Sequence, residues 1–232
     1  MGTRVAYRLE GSIATLAMDD GKANVLSPAM LEELNAALDR AMGDGAVVVL
    51  TGREGRFSAG FDLAVLGASG AEAPAMVRAG FELAERLLSF PTPVVAACTG
   101  HAIAMGAFLL LSADYRIGVA GPYKITANEV ALGLTMPHSA VEVCRQRLSP
   151  AHLGRVVANA EVFTPETAVD AGFLDRLVEA GDLPEAVNHA AAELAALGME
   201  AHAASKLRVR GPALEALRAA IDADEAAYRA SV

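Results

Sequence analysis

The chain has 232 residues, of which 53% are hydrophobic and 20% charged, a balance that fits one globular domain with at most a small appendage. Its 28 acidic against 19 basic side chains give a formal charge of −9, which argues against nucleic acid as the main partner, because phosphate binding needs a basic footprint. No apolar run reaches the roughly 18 residues of a membrane span, so no membrane partner is expected. The chain then opens as two strands. Val5 to Glu10 leads to a Gly11-Ser12 turn, and Ile13 to Met18 alternates again. Asp19-Asp20-Gly21-Lys22 is turn chemistry. Ser27-Pro28 supplies a cap and a first-turn proline, and Met30, Leu31, Leu34, Ala37, Leu38 and Met42 recur at helical spacing. Val47-Val48-Val49-Leu50-Thr51-Gly52 reads as a strand buried on both faces.

The alternation continues beyond this strand. Helical spacing through Phe81, Leu83, Ala84, Leu87 and Leu88 stops at Pro91-Thr92-Pro93, and residues 94–100 read as a second buried strand. A glycine-containing turn then enters a helix through Phe108 and Leu111, and Asp114-Tyr115-Arg116-Ile117-Gly118 is a further strand. Alternating strands and helices predict an α/β layered fold. From about Pro150 the pattern turns helical and alanine-rich, over 186–197 and 213–228.

Three segments stand out for chemistry. Residues 52–63, Gly-Arg-Glu-Gly-Arg-Phe-Ser-Ala-Gly-Phe-Asp-Leu, follow a buried strand, and the small Ser58, Ala59 and Gly60 permit close backbone approach. Residues 100–108 also follow a buried strand and open a helix, whose first N–H groups suit an oxyanion. Residues 127–137 put Glu129 in an apolar neighbourhood, where a carboxylate is costly to ionise and can be tuned as a base. Taken singly, each is equally a loop, a packed helix start or a surface glutamate. Cys98 and Cys144 sit in apolar sequence and are read as buried free thiols. Histidines 101, 138, 152, 189 and 202 show no ligand spacing, so no metal site is expected. Residues 1–5 lack a basic stretch followed by an apolar one, so a cytoplasmic location without a secretory leader is expected.

Taken together, over roughly residues 5–180, the order and wording of these segments resemble the enoyl-CoA hydratase/isomerase (crotonase) family. The resemblance rests on FSAGFDL at 57–63, the Gly100-His101-Ala102 turn with Gly106, SADYRI at 112–117, NEVALGLTMP at 128–137 and FTPETAVDAGFLDRLV at 163–178. It implies the crotonase (ClpP-like) fold, a spiral of repeated ββα units in residues 1–180, with a C-terminal helical region, shortened relative to the family, in 181–232. It also implies an acyl-CoA thioester as substrate, coenzyme A being part of that substrate rather than a separate cofactor, and a homotrimer or hexamer.

Carried over position by position, the resemblance makes the backbone N–H groups of Phe61 and Met105 the two donors that hold the thioester oxygen. Each such donor is worth about 2.7–4 kcal/mol of transition-state stabilisation. Lys22, Ala23, Ala59, Asp62 and Leu63 fall at positions near the nucleotide and pantetheine. Hydratases of the family use two glutamates to hold and activate water; Glu129 matches one, and Phe108 stands where the other belongs. A single glutamate suffices to move a double bond from the 3,4 to the 2,3 position, and an apolar residue at the first position with Asn-Glu at the second resembles the Δ3,Δ2-enoyl-CoA isomerases. The expected activity is therefore isomerisation. Alternatives are an enoyl-CoA hydratase and a non-catalytic acyl-CoA-binding module. His138 either adds a polar group at the pocket or caps the helix that follows, and Asp114 and Arg116 match structural positions.

Overall fold

The computed structural model describes residues 3–68 and 70–231; Met1 and Gly2 of the N-terminal stretch read above, Ser69, and Val232 of the C-terminal tail lie outside the described residues. The chain opens with the antiparallel pair β1 (Val5–Glu10) and β2 (Ile13–Met18), followed by β3 (Val25–Leu26) and α1 (Pro28–Gly43). The Ser27 hydroxyl caps α1 by accepting from the Met30 N–H, and Pro28 occupies the first turn. Next come β4 (Val47–Thr51), β5 (Gly55–Ser58), β6 (Gly60–Phe61), α2 (Leu63–Leu66) and α3 (Glu72–Ser89). They are followed by β7 (Val94–Cys98), β8 (Gly100–Ile103), α4 (Met105–Ser112), β9 (Tyr115–Val119) and β10 (Ile125–Thr126). The last third holds α5 (His138–Arg145), α6 (Pro150–Asn159), α7 (Pro165–Ala171), β11 (Arg176–Val178), α8 (Leu183–Ala195) and α9 (Met199–Ser231).

Six strands form one sheet in the order β1-β2-β4-β7-β9-β11, and three form a second in the order β10-β8-β5. Apart from β1 with β2, neighbouring strands within these two sheets run parallel. The chain alternates between the sheets: β4 hands over to β5, β7 to β8, and β9 to β10, each pair leading into helix. This is the repeated ββα spiral. The central strands β4, β7 and β9 of the large sheet are buried on both faces, which explains the unbroken apolar runs of β4 and β7. Leu16, Val48, Leu50 and Ala96 join the core against α1, α3 and α4, while Val47, Val49, Val95 and Ile117 meet Ala186, Val187 and Ala190 of α8.

Helix α9 lies back against α3 and α5. Its Lys206 ammonium stands 2.7 Å and its Arg210 guanidinium 2.9 Å from the Asp114 carboxylate at the start of β9. Asp114 also accepts from the Val94 N–H at 2.7 Å, so one buried acid ties two strands to the C-terminal helix. Arg116, 1% exposed, is held by Asp175. Cys98 and Cys144 are both buried and free. Among the described residues, no helix is long and apolar enough to cross a membrane.

Candidate active site

The three parallel strands of the small sheet end together, and the three chemical segments meet at that edge. Ser58 of β5 pairs with Ala102 of β8, and Thr126 of β10 pairs with Ile103. Beyond these residues lie Ala59-Gly60-Phe61, Ala104-Met105 and Asn128-Glu129. Strands of one direction expose their carboxyl ends at one edge, which is where open α/β sheets place ligands.

Glycines permit the close approach. Gly60 has φ +86°, and a Cβ there would stand 2.9 Å from the Ile103 carbonyl oxygen and 3.3 Å from the Met105 nitrogen. A Cβ on Gly106 would stand 2.5 Å from the Ser58 carbonyl oxygen. Ala104 turns the chain from β8 into α4 at φ +49° and ψ −122°, a sparsely populated conformation for a residue with a side chain. It is held there because its N–H donates to the Thr126 carbonyl at 2.9 Å and its own carbonyl accepts from Ala107 and Phe108. Met105 N–H and Gly106 N–H thus stand in the first turn of α4, where no helical carbonyl precedes them to accept, at the positive end of the helix dipole.

Glu129 follows β10 at the same edge. Its carbonyl accepts from the Leu132 and Leu134 N–H groups, closing a tight turn. Its side chain is half-buried; Oε2 is fully covered and has no hydrogen-bond partner. Burial therefore holds this carboxyl above the usual carboxylate range. The Cys144 thiol of α5, pushed up by burial, is pushed further by the Glu129 charge, which marks it as a neighbour. Phe108 is 1% exposed and ends a row of rings, Phe61 to Phe81 at 6.3 Å and Phe81 to Phe108 at 5.9 Å.

The remaining predicted positions divide. Ala23 and Ala59 are brought together, the Ala59 N–H donating to the Ala23 carbonyl at 3.1 Å. Lys22 is exposed, and its carbonyl accepts from Arg53. Asp62 caps α2 by accepting from the Ala64 N–H at 2.9 Å, and Leu63 is 71% exposed beside it. His138 opens α5 but caps nothing. The cap comes from Asp224 of α9, which accepts from the His138 N–H at 2.8 Å, the Ser139 N–H at 2.9 Å and the Ser139 hydroxyl at 2.6 Å. A carboxylate 86 positions away in sequence thus replaces the expected histidine cap. The His138 side chain is exposed on the rim of a cavity of about 550 Å³ whose walls include Leu66, Val77, Phe81, Met136 and Ile221. Phe81 belongs both to this wall and to the row of rings. Glu142 sits on α5 and is engaged with Arg145 at 3.2 Å.

Sequence reasoning missed Asn24. This fully buried side chain donates to the carbonyls of Met18 at 2.9 Å and Phe57 at 3.3 Å, while the Asn24 backbone carbonyl accepts from the Ser58 hydroxyl at 2.7 Å. It fixes the loop of Lys22 and Ala23 against the strand leading to Phe61. Its signal was an Asn closing the Asp-Asp-Gly-Lys turn, a residue type that tolerates its φ of +53°.

Comparison with known proteins follows the same lines. A family model described as enoyl-CoA hydratase/isomerase matches residues 8–231, past the boundary at 180 and through the C-terminal helices. A crystal structure of an enoyl-CoA hydratase/isomerase family protein from Pseudomonas syringae superposes with TM-score 0.94 at 48% identity, covering 96% of each chain. The human mitochondrial Δ3-Δ2-enoyl-CoA isomerase superposes with TM-score 0.92 at 28% identity, covering 97% of this chain and 90% of that one. A probable enoyl-CoA hydratase of Mycobacterium avium is 31% identical over 180 residues, 76% of this chain and 70% of the relative. The fold, the converging strand ends and these matches agree: the chain belongs to the enoyl-CoA hydratase/isomerase family and has the crotonase fold.

Proposed function

We propose that the chain shifts the double bond of a 3-enoyl-CoA to the 2,3 position, with Glu129 as its one base. The observation that carries this is a lone carboxylate with a covered, unpartnered oxygen at an edge where the second hydratase position is filled by the buried ring of Phe108. Hydration needs two acids to hold and split a water; here an apolar ring replaces one of them.

In this reading the thioester oxygen lies between the N–H groups of Phe61 and Met105. Glu129 removes a proton from C2, and the electron pair moves into the thioester as an enolate whose oxygen both N–H groups stabilise. The enolate then re-forms its carbonyl as Glu129 returns the proton to C4, leaving the double bond between C2 and C3. No atom is gained or lost. Burial raises the basicity of Glu129 toward that needed to take a proton beside a thioester. Coenzyme A runs over Lys22, Ala23, Ala59, Asp62 and Leu63, and Met105 and Phe108 bound the acyl chain. The cavity beside Phe81, apolar along Leu66, Val77, Met136 and Ile221 and bordered by Arg78, Asp224 and Glu225, is assigned to the acyl tail, with His138 on its rim. Similarity to a human protein described as a Δ3-Δ2-enoyl-CoA isomerase supports the reading.

Incubation with a 3-enoyl-CoA of medium length, followed by chromatography and mass measurement, tests it. Isomerisation gives a 2-enoyl product of unchanged mass. A 2-enoyl-CoA of the same length, run beside it, gains one water if the chain has the hydratase activity named for the Mycobacterium avium relative, and binding of CoA with turnover of neither substrate would establish a non-catalytic module.

A further inference from the structure

Gly80 sits on the buried side of α3, outside all three segments that carry the chemistry. A Cβ built on it would stand 2.4 Å from Cε1 and 2.5 Å from Cζ of Phe61, and 3.6 Å from Sδ of Met105. Non-bonded carbons come to rest at about 3.5–4.0 Å, so the Phe61 ring occupies the space a side chain at 80 would need. The ring is also confined by Phe81, edge to face at 6.3 Å. One helical position therefore touches the side chains of both residues whose backbone N–H groups we assign to the thioester oxygen. Alanine favours a helix interior over glycine, so a glycine buried in mid-helix calls for a reason of packing or function.

We propose that Gly80 is a positioning residue of the oxyanion site: its missing side chain seats the Phe61 ring, and through it the Phe61 N–H, in line with the Met105 N–H. The inference rests on the assignment of those two donors under Proposed function. It does not depend on which reaction follows the enolate. Residue 61 is joined to Gly60, whose φ of +86° and lack of space for even a Cβ, which would stand 2.9 Å from the Ile103 carbonyl oxygen, leave the backbone little room, so a ring pushed off Gly80 transmits its displacement to the neighbouring amide.

The test compares the unaltered protein, Gly80→Ala and the double variant Gly80→Ala/Phe61→Ala. For each we would measure kcat and KM with a 3-enoyl-CoA, thermal unfolding, and the infrared shift of a ¹³C-labelled thioester carbonyl in a bound saturated acyl-CoA. Misaligning one donor is expected to lower kcat by about 10²-fold, the usual effect of losing such a donor, with KM changed only a few-fold. The carbonyl downshift should shrink in parallel. Removing the ring in the double variant leaves the backbone donor in place and should restore at least tenfold of the kcat loss and the carbonyl downshift with it, whereas a general packing defect at α3 would move the melting temperature without moving the carbonyl shift. A Gly80→Ala protein with unchanged kcat and unchanged carbonyl shift, or a double variant without recovery, overturns the inference. Absence of any carbonyl downshift in the unaltered protein would remove the oxyanion site itself, and the inference with it. A downshift that Gly80→Ala abolishes, in a protein that does not isomerise, would uphold the positioning role while refuting the proposed reaction.

Discussion

Replacing Glu129 by glutamine tests the chemistry most directly, because the change removes the base while keeping its shape. A positioned acid–base group ordinarily contributes 10²–10⁴-fold. Here the same carboxyl is assigned both proton transfers; Phe108 fills the second position, and Glu142 of α5 is engaged with Arg145. The expected loss is therefore at the upper end, about 10⁴-fold in kcat, or roughly 5.4 kcal/mol of barrier, with KM altered only a few-fold. A continuous assay for the conjugated 2-enoyl thioester reads both constants. Stability should move the other way. Burial raises the folded-state pKa of Glu129, so the folded protein holds its proton more tightly than the unfolded chain does. That contribution is fully present below the unfolded pKa, about 4.3, and is lost as pH rises through the folded value. At neutral pH the native protein carries a poorly solvated charge that glutamine removes. Glu129→Gln should thus melt at or above the unaltered protein at pH 7, with the gap closing as pH falls toward 4.3, and kcat of the unaltered enzyme should fall as pH drops through the raised pKa. Turnover within tenfold of the original, or a variant that loses activity because it melts lower at pH 7, would refute the assignment.

Four further changes probe the frame. Asp224→Ala removes the helix cap of α5, worth about 0.5–2 kcal/mol, and leaves the buried Ser139 hydroxyl unsatisfied at about 1–3 kcal/mol, so denaturant unfolding should report a loss of roughly 2–4 kcal/mol. Asp114→Ala strands the cations of Lys206 and Arg210 and should cost roughly 3–5 kcal/mol, whereas Lys206→Met should cost less because Asp114 keeps Arg210; the reverse order would show that Lys206 alone anchors α9. Gly60→Ala forces a side chain onto a φ of +86° and within 2.9 Å of the Ile103 carbonyl, so it should lower both melting temperature and kcat, and normal kcat in a stable variant would contradict the close approach described above.

Much of this was legible in the residues themselves. Ser27-Pro28 announced α1, the β-branched run from Val47 marked a strand buried on both faces, and Gly60 marked backbone that something approaches closely. These signals are local: caps, periodicity and glycine conformation act within a few residues, so they survive in the sequence. The motif wording supplied the family and pointed to Glu129.

What the sequence could not contain is which distant groups meet. The burial of Glu129 is made by tertiary packing, and its covered, unpartnered Oε2 is a property of that packing. Asp224 caps a helix 86 residues away, and nothing in its own segment, where Asp222 and Glu225 stand beside it, marks which acid has that duty. Asn24 and Gly80 act through contacts with Phe57, Ser58, Phe61 and Met105 that arise only once strands and helices are stacked. Composition and periodicity determine which elements form and which faces they bury, because those depend on neighbours in the chain. The alignment of two amide groups and the exposure of one carboxyl depend on neighbours in space, and the tertiary structure alone decides those.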